Sequence, residues 1–108
     1  MKTQPLLFTA LLALAAGPAL AAAPLDGAKL FQEKTCWSCH GKDAKKPILP
    51  SYPKIAGQNA LYAEEQMLDI KSGARANRNA AAMKAILEAM VSDEEIKALA
   101  VYISKLKP

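Results

Sequence analysis

The chain has 108 residues, of which 52% are hydrophobic and 22% are charged, and its formal net charge is +4. A chain of this length forms one small domain with little room for both a core and a separate pocket, which argues against catalysis on a large substrate. The modest surplus of positive charge does not indicate a nucleic-acid partner.

The N-terminal segment has the features of a secretory signal peptide over residues 1–21. Lys2 supplies a positive charge, an apolar run extends over residues 6–16, and residues 19–21 form an Ala-x-Ala cleavage site. A retained membrane anchor is the competing interpretation, but the run is shorter than the ~20 residues that a spanning helix needs. We therefore expect cleavage near Ala21, which leaves residues 22–108 as one exported, periplasmic domain without a membrane span.

The first helix of that domain is predicted to begin near Asp26, a good N-cap residue, and to run toward Cys36. Gly27 lies in its first turn. Because glycine has no side chain, another helix can approach closely at this position.

Cys36-Trp37-Ser38-Cys39-His40 then fits the C-x-x-C-H pattern of c-type haem attachment. Two thiols three residues apart on a helical turn reach the two vinyl groups on one edge of the porphyrin, and the next residue presents its imidazole to the iron. A disulfide between the cysteines is an alternative in an oxidising compartment, but it gives His40 no role. A thioredoxin-like redox pair calls for a βαβ context, which is missing from the sequence pattern, and a structural zinc site needs four ligands where these residues supply three.

Lysines and prolines dominate residues 41–57, where Pro47, Pro50 and Pro53 prevent a continuous helix. A long ordered loop in a small domain usually wraps something functional. Its lysines are Lys42, Lys45, Lys46 and Lys54. They form either ordinary solvated surface or a docking patch for an acidic partner, and the sequence leaves both interpretations open.

Two helices are predicted after this loop, one over residues 60–72 that ends at Gly73 and a shorter one over residues 80–89 that follows a polar turn. They carry the methionines that could complete the coordination of an iron. His40 is the only histidine, so a second imidazole cannot serve, and a methionine thioether suits an electron carrier because it favours Fe(II).

Three methionines follow the signal peptide, and we predict Met83 as the second axial ligand. Met83 follows the polar turn at residues 75–79, from which the chain can cross to the far face of the haem. Met90 is the fallback, although its position just before the last helix suits a packing residue. Met67 lies within an amphipathic helix and is expected to be a core residue.

The last helix has the clearest local signals. Ser92 and Glu95 form a predicted capping box. Its apolar stripe consists of Ile96, Leu99, Ala100 and Ile103. This stripe needs a partner helix. With no period-2 strand pattern anywhere, the predicted fold class is all-α.

The domain resembles the small class I cytochromes c of bacterial periplasms, especially one lobe of the two-domain periplasmic cytochromes. The resemblance covers the whole domain and rests on the haem motif, residues 52–58, residues 68–73 and residues 92–96. It implies an all-helical fold in which the first and last helices pack together around one covalent haem, with Gly27 and Phe31 meeting Tyr102. It also implies that the carbonyl of Pro50 accepts the proton on the second nitrogen of His40.

The expected walls of the haem crevice are Ile48, Leu49, Tyr52, Ile55, Leu61, Leu68, Ile86 and Leu87. These predictions together describe an electron carrier whose single haem iron cycles between Fe(II) and Fe(III), which docks briefly on redox partners and has no substrate chemistry of its own. The alternative is the cytochrome subunit of a periplasmic dehydrogenase complex. A gas-binding haem protein is a third possibility and requires an open sixth position.

Overall fold

The computed structural model describes residues 1–7, 9–13 and 24–108. The helices of this part of the chain are α1 (Gly27–Glu33), α2 (Cys36–His40), α3 (Ala60–Ser72), α4 (Ala80–Met90) and α5 (Asp93–Lys105). The described residues contain no strand, so the prediction of an all-α fold is confirmed. None of these helices is long and apolar enough to cross a membrane. The predicted cleavage site near Ala21 lies outside the described residues.

The first predicted helix is interrupted before it reaches the cysteines. α1 ends at Glu33, and Thr35 adopts a left-handed conformation with φ of 63° before α2 begins. One residue in this conformation reverses the local course of the chain, because it cannot continue a right-handed helix. The cysteine motif therefore lies on a short helix of its own, and α2 does not continue the direction of α1.

Side-chain caps define the N-terminal ends of α1, α3 and α5. The Asp26 carboxylate accepts a hydrogen bond from the Lys29 backbone N–H, and the Asn59 side chain accepts one from the Tyr62 N–H. Ser92 and Glu95 form both bonds of the predicted capping box. Each cap satisfies a backbone N–H that has no partner within its helix, so these boundaries follow from local sequence.

The helices α1 and α5 cross where Gly27 allows them to come close. A Cβ added at Gly27 would lie 2.5 Å from the Tyr102 Cβ and 2.6 Å from the Ala98 carbonyl oxygen. The Phe31 ring is fully buried and lies 5.5 Å from the Tyr102 ring, centroid to centroid. The predicted meeting of Gly27 and Phe31 with Tyr102 is confirmed.

The core lies between α5 and the two helices that it contacts, α1 and α3, and α4 packs against α3 and contributes Ala80 and Leu87. The largest fully buried side chains are those of Phe31, Ile96 and Leu99. The stripe predicted on the last helix supplies two of these residues and also buries Ala100 and Ile103. The helical frame is therefore stabilised by ordinary apolar packing, and Cys36 of the motif packs against this core.

The connection between α2 and α3 is an ordered loop, as predicted. Ala44 is fully buried, and its carbonyl oxygen accepts hydrogen bonds from the N–H groups of Ile55 and Ala56 at 2.9 and 3.1 Å. The Gly57 N–H donates to the Ile103 carbonyl at 2.9 Å, which ties the end of the loop to α5. These bonds fold the loop back on itself beside α2.

Candidate haem attachment site

Helix α2 presents its two cysteines from a single turn. The Thr35 carbonyl begins this turn by accepting hydrogen bonds from the Ser38 N–H at 3.1 Å and the Ser38 hydroxyl at 2.6 Å. Gly41 ends it with φ of 86°, and a Cβ at Gly41 would collide with the Lys46 carbonyl oxygen. Cys36 and Cys39 are both free thiols and partly buried. Both sulfur atoms are therefore available on one side of a short, rigid helix.

The thiol of Cys36 is protonated at neutral pH. Burial raises its pKa to about 11, with a further increase from the neighbouring Cys39 and a partial offset from a backbone hydrogen bond. Cysteines that work by thiol–disulfide exchange have pKa values well below the ordinary one, because the thiolate is the reacting form. The Cys36 thiol thus lacks the lowered pKa expected of the attacking thiol in a thioredoxin-like pair.

His40 is buried at the end of α2, and its ring orientation is set by the loop. Its Nδ1 lies 3.0 Å from the Pro53 carbonyl oxygen, which can only accept, so Nδ1 donates the hydrogen bond. Burial lowers the pKa of His40, and the bond to Pro53 opposes this effect only in part. The neutral ring therefore keeps its lone pair on Nε2, the atom that a metal would bind.

The family resemblance implied that the carbonyl of Pro50 accepts the hydrogen bond from His40, and this prediction is wrong. Residues 49–52 form a turn in which the Tyr52 N–H donates to the Leu49 carbonyl at 3.0 Å. This turn puts Pro50 at its exposed tip, and the chain returns to His40 only at Pro53. Sequence reasoning identified a proline carbonyl as the partner but could not locate the turn that decides which proline.

The residues around His40 fit a haem. The Ile48 N–H donates to the Cys39 carbonyl at 2.9 Å, which brings Ile48 and Leu49 beside the motif. These two side chains are 67% and 46% exposed, an uncovered apolar surface that a porphyrin would cover. Two free thiols, an imidazole held with Nε2 unprotonated and an adjacent apolar surface match the requirements of a covalently attached haem.

The other predicted wall residues divide between the core and the surface. Leu87 is fully in the core and Leu68 packs against it, whereas Leu61 is an exposed residue of α3. Ile55 is partly buried against the core, and Tyr52 and Ile86 are also half-buried.

The structure separates the three methionines by their surroundings. Met67 is buried in the core on α3, as predicted. Met83 lies near the start of α4 and is partly buried against the core cluster. Met90 is the last residue of α4 and is 40% exposed. Met83 as an iron ligand, with Met90 as the fallback, stays a prediction.

The charged residues of the loop lie on the surface next to α2. Lys42, Lys46 and Lys54 are exposed and Lys45 is partly so. Trp37, between the cysteines, is also exposed, and its indole N–H donates to the Gln32 carbonyl at 3.2 Å.

Sequence analysis did not identify Ala44, whose left-handed φ of 57° is unusual for a residue with a side chain and is not visible in the sequence.

Residues 25–107 match the family model described as Cytochrome c. The chain is 39% identical over 70 residues to cytochrome c-554(548) of Halomonas halodenitrificans, which covers 65% of this chain and 82% of that protein. It is 35% identical over 78 residues to cytochrome c4 of Azotobacter vinelandii, which covers 68% of this chain and 37% of that protein. It is also 33% identical over 88 residues to a thiosulfate dehydrogenase electron acceptor of Stutzerimonas stutzeri, which covers 75% of this chain and 39% of that protein. The chain thus spans most of the first relative and less than half of the other two.

Proposed function

The chain belongs to the cytochrome c family, and from this premise we propose that it is a periplasmic electron carrier with one haem c on Cys36, Cys39 and His40 and with Met83 as the second axial ligand. The observation that carries the proposal is the geometry of His40. Its Nδ1 is held by the Pro53 carbonyl at 3.0 Å, at the end of the same short helix that presents both free thiols. The haem supplies an iron that alternates between Fe(II) and Fe(III).

Each residue of the motif has a separate role in this proposal. The thiols of Cys36 and Cys39 would each add to a vinyl group of the haem to give a thioether, and Nε2 of His40 would bind its iron. The Pro53 carbonyl fixes the tautomer and the ring plane of His40, as partners of metal-bound histidines commonly do. We propose no substrate chemistry for the chain itself.

Met83 is the methionine whose surroundings suit a ligand best. Met67 is held in the core, and Met90 is exposed at the far end of α4. Met83 is partly buried near the start of α4, where the polar turn of residues 75–79 leads into the helix. Its thioether would give a low-spin iron that changes oxidation state with little rearrangement.

We also propose that residues 1–21 are a signal peptide and that residues 22–108 are the working domain. Among the described residues of the first segment, Leu6, Leu7, Leu11 and Leu12 are between 84% and 92% exposed. Apolar side chains left uncovered in this way are unusual for part of a folded domain. They support a segment that is read for export and then removed.

The redox partner is proposed to be a protein with an acidic docking surface. The lysine-rich loop lies beside the motif, with Lys42, Lys46 and Lys54 exposed. Positive charges around an electron-transfer site steer an acidic partner and favour brief docking with rapid turnover.

A second candidate function is the cytochrome subunit of a periplasmic dehydrogenase complex. Two relatives, from Stutzerimonas stutzeri and Thiomonas intermedia, are named thiosulfate dehydrogenase electron acceptor. Co-purification of a larger catalytic subunit from the native host would favour this candidate over a freely diffusing carrier.

An optical spectrum of protein matured with haem tests the main proposal. We expect a haem that resists acid-acetone extraction, a low-spin ferric spectrum and a weak near-infrared sulfur-to-iron band. A high-spin spectrum without this band, combined with carbon monoxide binding to the untreated ferrous protein, would favour the gas-binding alternative instead.

A further inference from the structure

One hydrogen bond connects the lysine-rich loop to the segment that leads into α4. The Asn79 side-chain N–H donates to the Ser51 hydroxyl at 3.1 Å, and both residues are exposed. Across the described part of the chain it is the one hydrogen bond between residues 41–59 and residues 73–90. Its two partners are 28 positions apart in sequence, so it is a tertiary contact and not part of a local turn.

Asn79 makes this contact in place of its usual local role. It occupies the N-cap position of α4, where asparagine is among the preferred residues, yet its side chain makes no capping bond. The equivalent residues of α3 and α5, Asn59 and Ser92, both cap their helices. The preceding residue, Arg78, is also unusual, with a left-handed φ of 52°. Two departures from local preference at adjacent positions are typical of a constraint imposed from elsewhere in the structure.

The positions of the two partners indicate what the bond constrains. Ser51 lies two residues before Pro53, whose carbonyl holds His40. Asn79 lies four residues, about one helical turn, before Met83. The bond therefore connects the segment that orients one axial ligand to the segment that carries the other.

We propose that the Ser51–Asn79 hydrogen bond is a latch that closes the haem crevice and holds Met83 on the iron, which makes Ser51 and Asn79 positioning residues. This inference rests on the proposed function, specifically on Met83 as a ligand. Opening the latch allows the start of α4 to move away from the loop and gives an external ligand access to the iron.

The test is the rate at which imidazole binds to the ferric, haem-loaded protein. Ser51→Ala, Asn79→Ala and the double variant are compared with two matched controls, Asn77→Ala on the same polar turn and Ser104→Ala on α5. We expect each single latch variant to bind imidazole about fivefold faster, the factor that corresponds to losing one hydrogen bond of ordinary strength. The double variant should be no faster than either single variant, because both remove the same bond. The controls should match the wild type, and far-ultraviolet circular dichroism spectra should show the same helix content in all variants, so that faster binding does not come from partial unfolding.

The outcomes separate the latch from the function on which it rests. If Met83→Ala removes the near-infrared band but the latch variants bind imidazole at the wild-type rate, the latch is wrong and the ligand assignment stands. Rate increases that multiply in the double variant would also overturn the latch, because they show two independent effects. If Met83→Ala leaves the band intact, the ligand assignment and the latch both fail.

Discussion

At the scale of single residues, contacts within the chain set the ring orientation of His40 and the protonation states of His40 and Cys36. The backbone of Pro53 holds the His40 ring, and burial keeps it neutral, so its metal-binding nitrogen is available. Burial likewise keeps the Cys36 thiol protonated, with a pKa of about 11.

Met83 and Met90 are predicted to respond differently to truncation. Met83→Ala should remove the near-infrared sulfur-to-iron band, lower the reduction potential and allow carbon monoxide to bind, while the haem stays attached. Met90 is 40% exposed, so Met90→Ala should keep the band and cost less than about 1 kcal/mol of unfolding free energy, well below the cost of a buried methionine. Ferric spectra, potentiometry and thermal unfolding of both variants measure these effects. Loss of the band in the Met90 variant alone would transfer the ligand assignment to Met90.

The two cysteines are predicted to be indispensable together. Cys36→Ala combined with Cys39→Ala should abolish stable haem incorporation and leave a largely unfolded chain, because so small a domain has too little core without its cofactor. Acid-acetone extraction and circular dichroism of the exported double variant measure both effects. Haem that remains bound after extraction would contradict this prediction.

At the scale of secondary-structure elements, the pairing of α1 with α5 supports the rest of the fold. Close approach at Gly27, the ring contact between Phe31 and Tyr102, and the ion pair between Lys34 and Glu95 lie along this interface. The two helices come from opposite ends of the domain. Their packing therefore closes the chain around α2, which carries the haem motif, and the loop that follows it.

Gly27→Ala is expected to loosen this interface. The added methyl group would lie 2.5 Å from the Tyr102 Cβ and 2.6 Å from the Ala98 carbonyl oxygen, so backbone has to move. The expected loss of unfolding free energy is about 1–3 kcal/mol, typical of overpacking, and denaturant unfolding of the haem-loaded protein measures it. Lys29→Ala, at an exposed position of the same helix, is the control and should cost far less. Equal stabilities of the Gly27 variant and the wild type would show that the helices can separate at no cost.

Glu95 is predicted to make the stability of the α5 terminus dependent on pH. The Ser92 backbone N–H donates to its carboxylate at 3.0 Å, and this bond together with the Lys34 charge holds the pKa of Glu95 below its usual 4.5. A carboxyl group whose pKa is lower in the folded state than in the unfolded state stabilises the fold at pH values above its unfolded-state pKa. This stabilisation is lost as the pH falls through the folded-state pKa. Glu95→Gln keeps an acceptor for the capping box but removes the charge. It should therefore be less stable than the wild type at pH 7, and the difference should shrink as the pH falls below 4.5.

Thermal unfolding across this pH range measures the effect of Glu95→Gln, and Glu94→Gln on the same turn is the matched control. A stability difference for Glu95→Gln that persists unchanged at low pH would mean that the carboxylate charge makes no contribution.

At the scale of the whole molecule, the charges are unevenly distributed. The lysines of the loop lie beside the haem motif, while acidic residues occupy the first turn of α5, where they interact favourably with the helix dipole. The net charge is therefore a poor guide to what a partner meets at the site. An approaching protein would encounter a positive surface at the loop and an acidic one at the start of α5.

If the lysines steer an acidic partner, electron transfer should slow as ionic strength rises, because screening limits the field to ~8 Å at physiological salt. Lys42→Glu with Lys46→Glu should lower the second-order rate several-fold at low salt, with little difference from the wild type at high salt. Lys97→Glu with Lys107→Glu, at exposed positions of the C-terminal region, is the matched control. Stopped-flow kinetics with the native partner measure the rates. A rate that does not depend on salt would identify the lysines as ordinary solvated surface.

The features that could be predicted from the amino-acid sequence are those whose causes are local. The C-x-x-C-H spacing, the caps at Asp26 and Ser92 and the apolar stripe of α5 each depend on residues within one or two helical turns of one another. The contact of Gly27 and Phe31 with Tyr102 was also predictable, but only through resemblance to a family in which the first and last helices pack together.

Which residues meet across the loop depends on the path of the folded chain and could not be predicted from local sequence. Pro53 and not Pro50 holds His40, because a turn at residues 49–52 shifts the returning chain by three positions. The left-handed residues Thr35 and Ala44, and the bond between Ser51 and Asn79, likewise have no local signal. The hydrogen bonds between His40 and Pro53 and between Asn79 and Ser51 join groups far apart in sequence, and whether such groups meet depends on the path of the whole chain.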